Sequence, residues 1–135
     1  MGLEDSIAVS ASGLRAQSVR MRIIAENLAN KDSVADAAGA EPYRRKTVSF
    51  RSAVDRELGA SVVEPNRIGV DRSAFGRLYQ PGSPAADKDG YVLTSNVNSL
   101  VEMTDMVEAQ RSYEANLSSI EAAKSLTMRT IDLLR

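Results

Sequence analysis

The fold of this chain is decided by residues 99–134, which read SLVEMTDMVEAQRSYEANLSSIEAAKSLTMRTIDLL and contain neither glycine nor proline. Ser99 followed by Glu102 predicts a capping box at the start of a helix. Ten positions then recur at alternating spacings of three and four, which predicts a helix roughly 50 Å long with a coiled-coil-like stripe. The apolar members of this stripe, which we expect to form an assembly interface, are Met103, Met106, Tyr113, Leu117, Ile120, Ile131 and Leu134.

A second amphipathic segment lies at about residues 4–30. Its large apolar residues alternate with small ones, which allows a close helix–helix approach. The large residues, also expected at the interface, are Ile7, Leu14, Met21 and Leu28. Gly13 costs about 1 kcal/mol relative to alanine inside a helix, so we expect a firm helix only from Leu14 onward. Asn30 is expected to end it in a left-handed conformation.

The two helices differ in length. The N-terminal one is expected to be roughly 40 Å long, so pairing it with the longer C-terminal helix leaves part of the C-terminal stripe uncovered. An uncovered apolar stripe is an association site. A self-contained helical hairpin, with both stripes used inside the chain, remains the alternative interpretation.

Residues that break helices are concentrated in the middle of the chain. All four prolines and six of the eight glycines fall between Gly39 and Gly90. The expected elements are a strand at 43–50, a helical turn at 51–58, a β-hairpin from 67–71 and 75–80, and turns at 81–84 and 87–90, with 91–93 extended.

These patterns predict a mainly α fold with a small β insert. The N- and C-terminal helices are expected to pack as a coiled-coil-like antiparallel pair around a loop- and β-rich middle. We expect an assembly helix at 1–30, a middle insert at 31–98 and a second assembly helix at 99–135, with the two helices forming one helical domain.

Composition argues against several classes of function. The formal net charge of −1 gives no electrostatic footprint for nucleic acid. The sequence has no cysteine and no histidine, so the commonest metal ligands and the commonest general base are missing. Glu102, Asp105 and Glu108 lack a partner base and are expected to pair with Arg111 instead. We therefore expect no enzyme, no cofactor, no metal site and no small-molecule substrate.

The ends and the apolar runs of the chain argue against membrane targeting. The acidic start, Met-Gly-Leu-Glu-Asp-Ser, is followed by no apolar run and predicts no cleavable signal peptide. No apolar run is long enough to span a bilayer.

Aromatic residues make up only 4% of the sequence, so some burial is expected to come from neighbouring chains.

Several motifs resemble those of bacterial flagellar axial proteins. Near the N-terminus they are Ser12-Gly13-Leu14-Arg15-Ala16-Gln17 and Asn27-Leu28-Ala29-Asn30. The sharper set is Tyr79-Gln80-Pro81-Gly82-Ser83-Pro84, Ala86-Asp87, Gly90-Tyr91-Val92, Asn96-Val97-Asn98, Arg111-Ser112-Tyr113-Glu114-Ala115-Asn116 and Ala123-Lys124-Ser125. Together they resemble the flagellar basal-body rod protein family, in particular its proximal-rod members, and the similarity is weakest over about 51–78.

The resemblance implies a structural subunit of the basal-body rod that is needed for motility. Such subunits are exported by the flagellar type III apparatus without a cleavable signal and stack helically in the periplasm as a drive shaft. The implied partners are further copies, other proximal and distal rod proteins, the rod-to-membrane-ring adaptor and the export apparatus. The motif residues expected to serve turns, helix ends or polar contacts are Asn27, Asn30, Pro81, Gly82, Asp87, Gly90, Tyr91, Asn96, Asn98, Arg111, Asn116 and Lys124.

One function of a different class stays open. A soluble helical-hairpin adaptor or chaperone would also need an apolar stripe, which it would use to bind a helix of its partner. Filaments or large polymers favour the rod subunit, whereas a stable monomer or dimer favours the adaptor.

Overall fold

The computed structural model describes residues 2–135 and contains, within them, two long helices and four strands. The elements are α1 (Leu3–Ala29), β1 (Lys46–Asp55), β2 (Ala60–Val70), β3 (Gly76–Tyr79), β4 (Tyr91–Thr94) and α2 (Ser99–Leu133). The predicted fold class, a terminal helix pair with a small β insert, is confirmed. Met1, the first residue of the predicted N-terminal segment, lies outside the described residues.

The first helix differs from its prediction at both ends. It already begins at Leu3, so the expectation of a firm helix only from Leu14 is wrong. None of the described non-glycine residues has a positive φ, so the predicted left-handed stop at Asn30 is also wrong. The Asn30 backbone N–H instead donates to the Glu26 carbonyl at 3.2 Å, and its side-chain amide donates to the same carbonyl at 2.8 Å. These bonds satisfy a terminal carbonyl without a left-handed residue.

The first two strands, β1 and β2, pair in a two-stranded sheet. β1 continues to Asp55, so the helical turn predicted at 51–58 is wrong. The Asp55 carboxylate accepts hydrogen bonds from the backbone N–H groups of Glu57 and Leu58 at 3.0 and 3.3 Å, and Gly59 closes the turn with a φ of 63°. So short a segment is a marginal helix on its own, and pairing with β2 satisfies its backbone instead.

The other two strands, β3 and β4, form a second antiparallel pair. The predicted hairpin between 67–71 and 75–80 is therefore wrong, because its first arm belongs largely to β2. The Asp71 carboxylate accepts a hydrogen bond from the Ser73 backbone N–H at 2.8 Å and bends the chain there. The Asn96 side-chain amide then donates to the Asp71 carbonyl at 3.0 Å, so the segment is held by a residue after β4.

Residue contacts divide the chain into two compact units. The first contains the described residues up to Met21 together with Val48–Arg67 and Met106–Arg135. The second contains Arg22–Thr47 and Ile68–Asp105. Both helices therefore contribute residues to both units.

In the first unit, α1 and α2 run antiparallel and approach closely at Gly13. A Cβ atom at this position would lie 2.7 Å from the side-chain amide nitrogen of Asn116. Further along α1, Arg20 forms an ion pair with Glu108 at 3.5 Å. Residue numbers rise along α1 as they fall along α2, and this pairing places Leu3, where α1 begins, opposite about residue 126.

The β1–β2 hairpin is attached to α1 in this unit by Ser12, which is almost fully buried. Its hydroxyl donates to the Val9 carbonyl at 2.6 Å and accepts a hydrogen bond from the Val63 backbone N–H at 3.1 Å. A backbone group of β2 is thus satisfied by a helix side chain. Because an isolated two-stranded hairpin is marginal in water, this attachment helps to stabilise it.

The second unit is organised by Asn27, whose side chain is 1% exposed. Its amide nitrogen donates to the Lys46 carbonyl at 2.9 Å and to Glu102 Oε2 at 3.3 Å. Its oxygen accepts hydrogen bonds from the Lys46 backbone N–H at 2.9 Å and from the Tyr43 hydroxyl at 2.7 Å. All four hydrogen-bonding positions of the amide are therefore used.

Glu102, the other centre of this junction, has no exposed surface. Its Oε1 accepts a hydrogen bond from Nε of Arg45, whose guanidinium also lies 3.5 Å from the Asp71 carboxylate and 3.6 Å from the Asp105 carboxylate. Burial lowers the pKa of Arg45, but the hydrogen bond to Glu102 and the three negative charges raise it by more. A carboxylate without solvent needs such a partner, because an unpaired buried charge is strongly destabilising.

We expect Arg45→Met to lower the free energy of unfolding by about 3–5 kcal/mol, because it leaves the Glu102 charge buried without its cation. Arg51→Met is the matched control. Arg51 forms an exposed ion pair with Glu64 at 3.2 Å, and its loss should cost only about 0.2–1 kcal/mol. Urea denaturation of the full chain measures both values. Equal losses in the two variants would show that the buried pair has no special role.

Gly13 and Asn116 should be energetically coupled. Gly13→Ala alone brings a methyl group against the Asn116 amide, which donates to the Ser112 carbonyl at 3.0 Å and would have to move. In an Asn116→Ala background the same change should stabilise the chain by about 1 kcal/mol, the helix advantage of alanine over glycine. Thermal unfolding of the four chains of the double-mutant cycle tests this. The same gain in both backgrounds would rule out the close approach.

Candidate assembly interface

The predicted stripe of α2 divides into two sets of residues. Met106, Tyr113 and Ile120, spaced seven apart, are half-buried. Met103, Leu117 and Ile131 belong to the other set and are 59%, 41% and 45% exposed. The first set therefore packs within the chain, and the second set remains on its surface. Met103 and Leu117 are exposed because positions at an average spacing of 3.5 cover a wider arc than one neighbouring helix can shield. Ile131 lies five turns from Tyr113, on the same side of the helix, and is exposed because α2 there extends past the start of α1.

Sequence reasoning missed two further members of the exposed set. Leu100 is 74% exposed and Val107 is 48% exposed, and both lie about one turn from Met103. The seven-residue spacing between Leu100 and Val107 is the sequence signal that could have identified them as members of the stripe. The exposed apolar residues on this side of α2 are referred to below as the outer band. They are Leu100, Met103, Val107, Leu117, Met128 and Ile131.

The end of α2 extends past the start of α1, as the lengths predicted. The helix pairing reaches only about residue 126, whereas α2 ends at Leu133. Leu133 and Leu134 are 86% and 82% exposed. We call residues 127–135 the projecting end.

The predicted interface residues of α1 have a different environment. Ile7, Leu14, Met21 and Leu28 are all half-buried within the chain. Their apolar surface is thus largely shielded by the rest of the same molecule. Of the predicted stripe residues, those that leave the most surface free are on α2.

The start of α2 is capped by Asn98 and not by the predicted Ser99–Glu102 capping box. The Asn98 side-chain oxygen accepts hydrogen bonds from the backbone N–H groups of Leu100 and Val101 at 3.0 and 3.4 Å. The Glu102 carboxylate does not act as part of a cap, because it accepts a hydrogen bond from Arg45 instead. The polar motif residue that precedes the cap, Asn96, accepts a hydrogen bond from the Arg45 backbone N–H at 2.7 Å.

The predicted turns at 81–84 and 87–90 are present between β3 and β4. Pro81 and Gly82 are exposed in the first. In the second, Gly90 has a φ of 87°, and a Cβ there would lie 2.8 Å from the Tyr79 ring. The rings of Tyr79 and Tyr91 meet edge to face with centroids 5.3 Å apart.

Asp87 organises the second turn through its carboxylate. Oδ1 accepts hydrogen bonds from the backbone N–H groups of Tyr91 and Asp89, each at 2.9 Å, and Oδ2 pairs with Arg77 at 3.1 Å. The hydrogen bond from the Tyr91 backbone is the main reason that the pKa of Asp87 lies below its usual value, and those from Asp89 and Arg77 act in the same direction.

Two charged motif residues of α2 lie on its surface. Arg111 and Lys124 are exposed. The expected pairing of Arg111 with the acidic residues of α2 is wrong, because Glu102 binds Arg45 and Glu108 binds Arg20.

Among residues 2–135, no group of three or more acidic side chains is placed to hold a metal ion. Neither of the two described helices is long and apolar enough to cross a membrane.

Comparison with known proteins assigns a family. A family model described as "Flagellar basal body rod FlgEFG protein C-terminal" matches residues 88–133, which include β4 and α2. The chain is 51% identical to the flagellar basal-body rod protein FlgC of Agrobacterium fabrum, over 98% of this chain and 96% of the relative. It is 39% identical to that of Bacillus subtilis, over 95% of each chain, and 37% identical to that of Salmonella typhimurium, over 98% of each. On this similarity over nearly its whole length, the chain belongs to the FlgC family of flagellar basal-body rod proteins.

Proposed function

We propose that this chain is a structural subunit of the proximal part of the flagellar basal-body rod, where copies and related subunits stack helically. The observation that carries the proposal is the apolar outer band of α2, found in a chain that is 51% identical to a rod protein. Exposed apolar surface of this kind favours association. Stacked in this way, the subunits form a drive shaft that transmits torque from the motor to the hook.

The antiparallel helix pair is suited to a load-transmitting role. Its two helices are 27 and 35 residues long, so the pair offers a long contact along the direction of stacking. We propose that the segments 1–30 and 99–135 act as one assembly domain. The insert at 31–98 would then make the outer contacts.

The proposed partners follow from this position in the assembly. They are other copies of the chain, the neighbouring proximal and distal rod proteins, and the adaptor between rod and membrane ring. The type III export apparatus would deliver the chain to the periplasm without a cleavable signal peptide.

We propose no catalytic activity for the chain. Two acidic residues of α2 that could serve as general acids or bases are engaged in ion pairs, Glu102 with Arg45 and Glu108 with Arg20. The sequence contains no histidine and no cysteine. These features support a role through packing and not through chemistry.

Leu117→Asp tests the proposal. Leu117 is 41% exposed in the outer band, so a carboxylate there should change the free energy of unfolding by less than about 0.5 kcal/mol. It should nevertheless abolish swimming in soft agar, because docking would bury a charge. Ser119→Asp, an exposed position two residues from Leu117 and so about 200° around the helix, adds the same charge outside the outer band; it is the matched control and should swim normally.

Ile120→Asp gives the contrasting result. Ile120 is half-buried and belongs to the set that packs within the chain. A carboxylate there should lower the free energy of unfolding by at least about 1 kcal/mol. Normal swimming by the Leu117→Asp strain, or equal loss of swimming in the Ser119→Asp strain, would exclude the outer band as an assembly surface.

A further inference from the structure

A groove of about 430 Å³ lies in the first unit, between α1 and the turn end of the β1–β2 hairpin. Its apolar lining includes Ala11, Val19, Leu58, Val62 and Pro65. The charged residues along it are Arg15, Asp55 and Glu64. On the α1 side the lining residues recur at helical spacing and begin with the small side chains of Ala8 and Ala11. Small side chains allow a helix to approach closely.

The projecting end of α2 has the complementary character. Met128, Ile131 and Leu134, each three residues from the next, are 59%, 45% and 82% exposed. This is the spacing by which a helix presents apolar anchors to a groove. The segment is a little over two helical turns long.

We infer that the projecting end of one copy of this chain docks into the groove of a second copy. This inference rests on the proposed function and names one of its contacts. The charges match: the groove carries two acidic residues and one arginine, and the projecting end carries Arg129, Arg135 and Asp132. Glu64 also pairs with Arg51 at 3.2 Å, but that pair is exposed and contributes little.

The groove of the same molecule is out of reach of its own projecting end. The groove lies along Ala8 to Val19 of α1, whereas α2 passes Leu3, where α1 begins, and continues away from it. The occupant therefore belongs to another molecule, and the complementary charges of the groove and the projecting end assign it to a second copy. Because the end and the groove are different surfaces, each copy can bind one neighbour and be bound by another. Such head-to-tail contacts produce an open helical stack.

Cysteine cross-linking in isolated basal bodies tests the contact. The chain has no cysteine of its own, so single substitutions place one thiol at a chosen site. Two differently tagged chains, Leu58→Cys in the groove and Leu134→Cys in the projecting end, are expressed together, and the isolated basal bodies are treated with a short bismaleimide. We expect a heterodimer carrying both tags. Replacing Leu58→Cys by Val54→Cys, a 69% exposed site outside the groove lining, should abolish it.

Two further variants make a negative result decisive. Pro65→Cys is exposed on the same groove and gives the same readout without altering the half-buried Leu58. Arg20→Cys with Glu108→Cys in one chain, at two facing positions whose charged side-chain atoms form an ion pair at 3.5 Å, reports whether the reagent reaches the rod.

The possible negative outcomes separate this inference from the proposed function. Chains present in basal bodies, with the Arg20–Glu108 control reacting and no heterodimer from either groove variant, would overturn the docking contact alone. Attachment of the Leu134→Cys chain to a different protein would also overturn it. Absence of the tagged chain without any cysteine substitution from basal bodies would overturn the proposed function as well.

Discussion

The second unit depends on one buried charge, the carboxylate of Glu102. With no exposed surface, it requires both the guanidinium of Arg45 and the amide of Asn27. Asn27 in turn holds both backbone groups of Lys46. The end of α1, the start of β1 and the start of α2 are thereby fixed to one another without a large apolar core. A chain with so few aromatic residues gains its order here from a fully satisfied polar network.

The arrangement of the first unit follows from a different constraint, the unequal lengths of α1 and α2. Gly13 allows α1 to approach Asn116 of α2, which sets their pairing. Since α2 is the longer helix, its last turns extend past the first residue of α1 and have no partner helix among the described residues 2–135. Its stripe is also wider than α1 can cover, which leaves the outer band exposed. The same geometry that completes the helix pair therefore creates the surfaces that we propose for assembly.

Local patterns in the sequence predicted much of this fold. The spacing of apolar residues located both helices, and Gly90 located a turn, because these signals act over a few residues. Glu102 was misinterpreted as part of a capping box, because its partner Arg45 lies 57 residues away. The prediction of a helical turn at 51–58 was wrong for a similar reason, because pairing with β2 makes residues up to Asp55 part of a strand. The α2 stripe was found, but its division into buried and exposed sets depends on how much of it α1 covers.

A cryo-electron microscopy map of isolated basal bodies would test the central claim, that α2 assembles through its exposed apolar side, most directly. We expect α2 to lie lengthwise against neighbouring subunits, with Met103, Leu117 and Ile131 buried at contacts between chains. A rod in which these three side chains face solvent, while subunits touch only through the β-rich middle, would contradict the account.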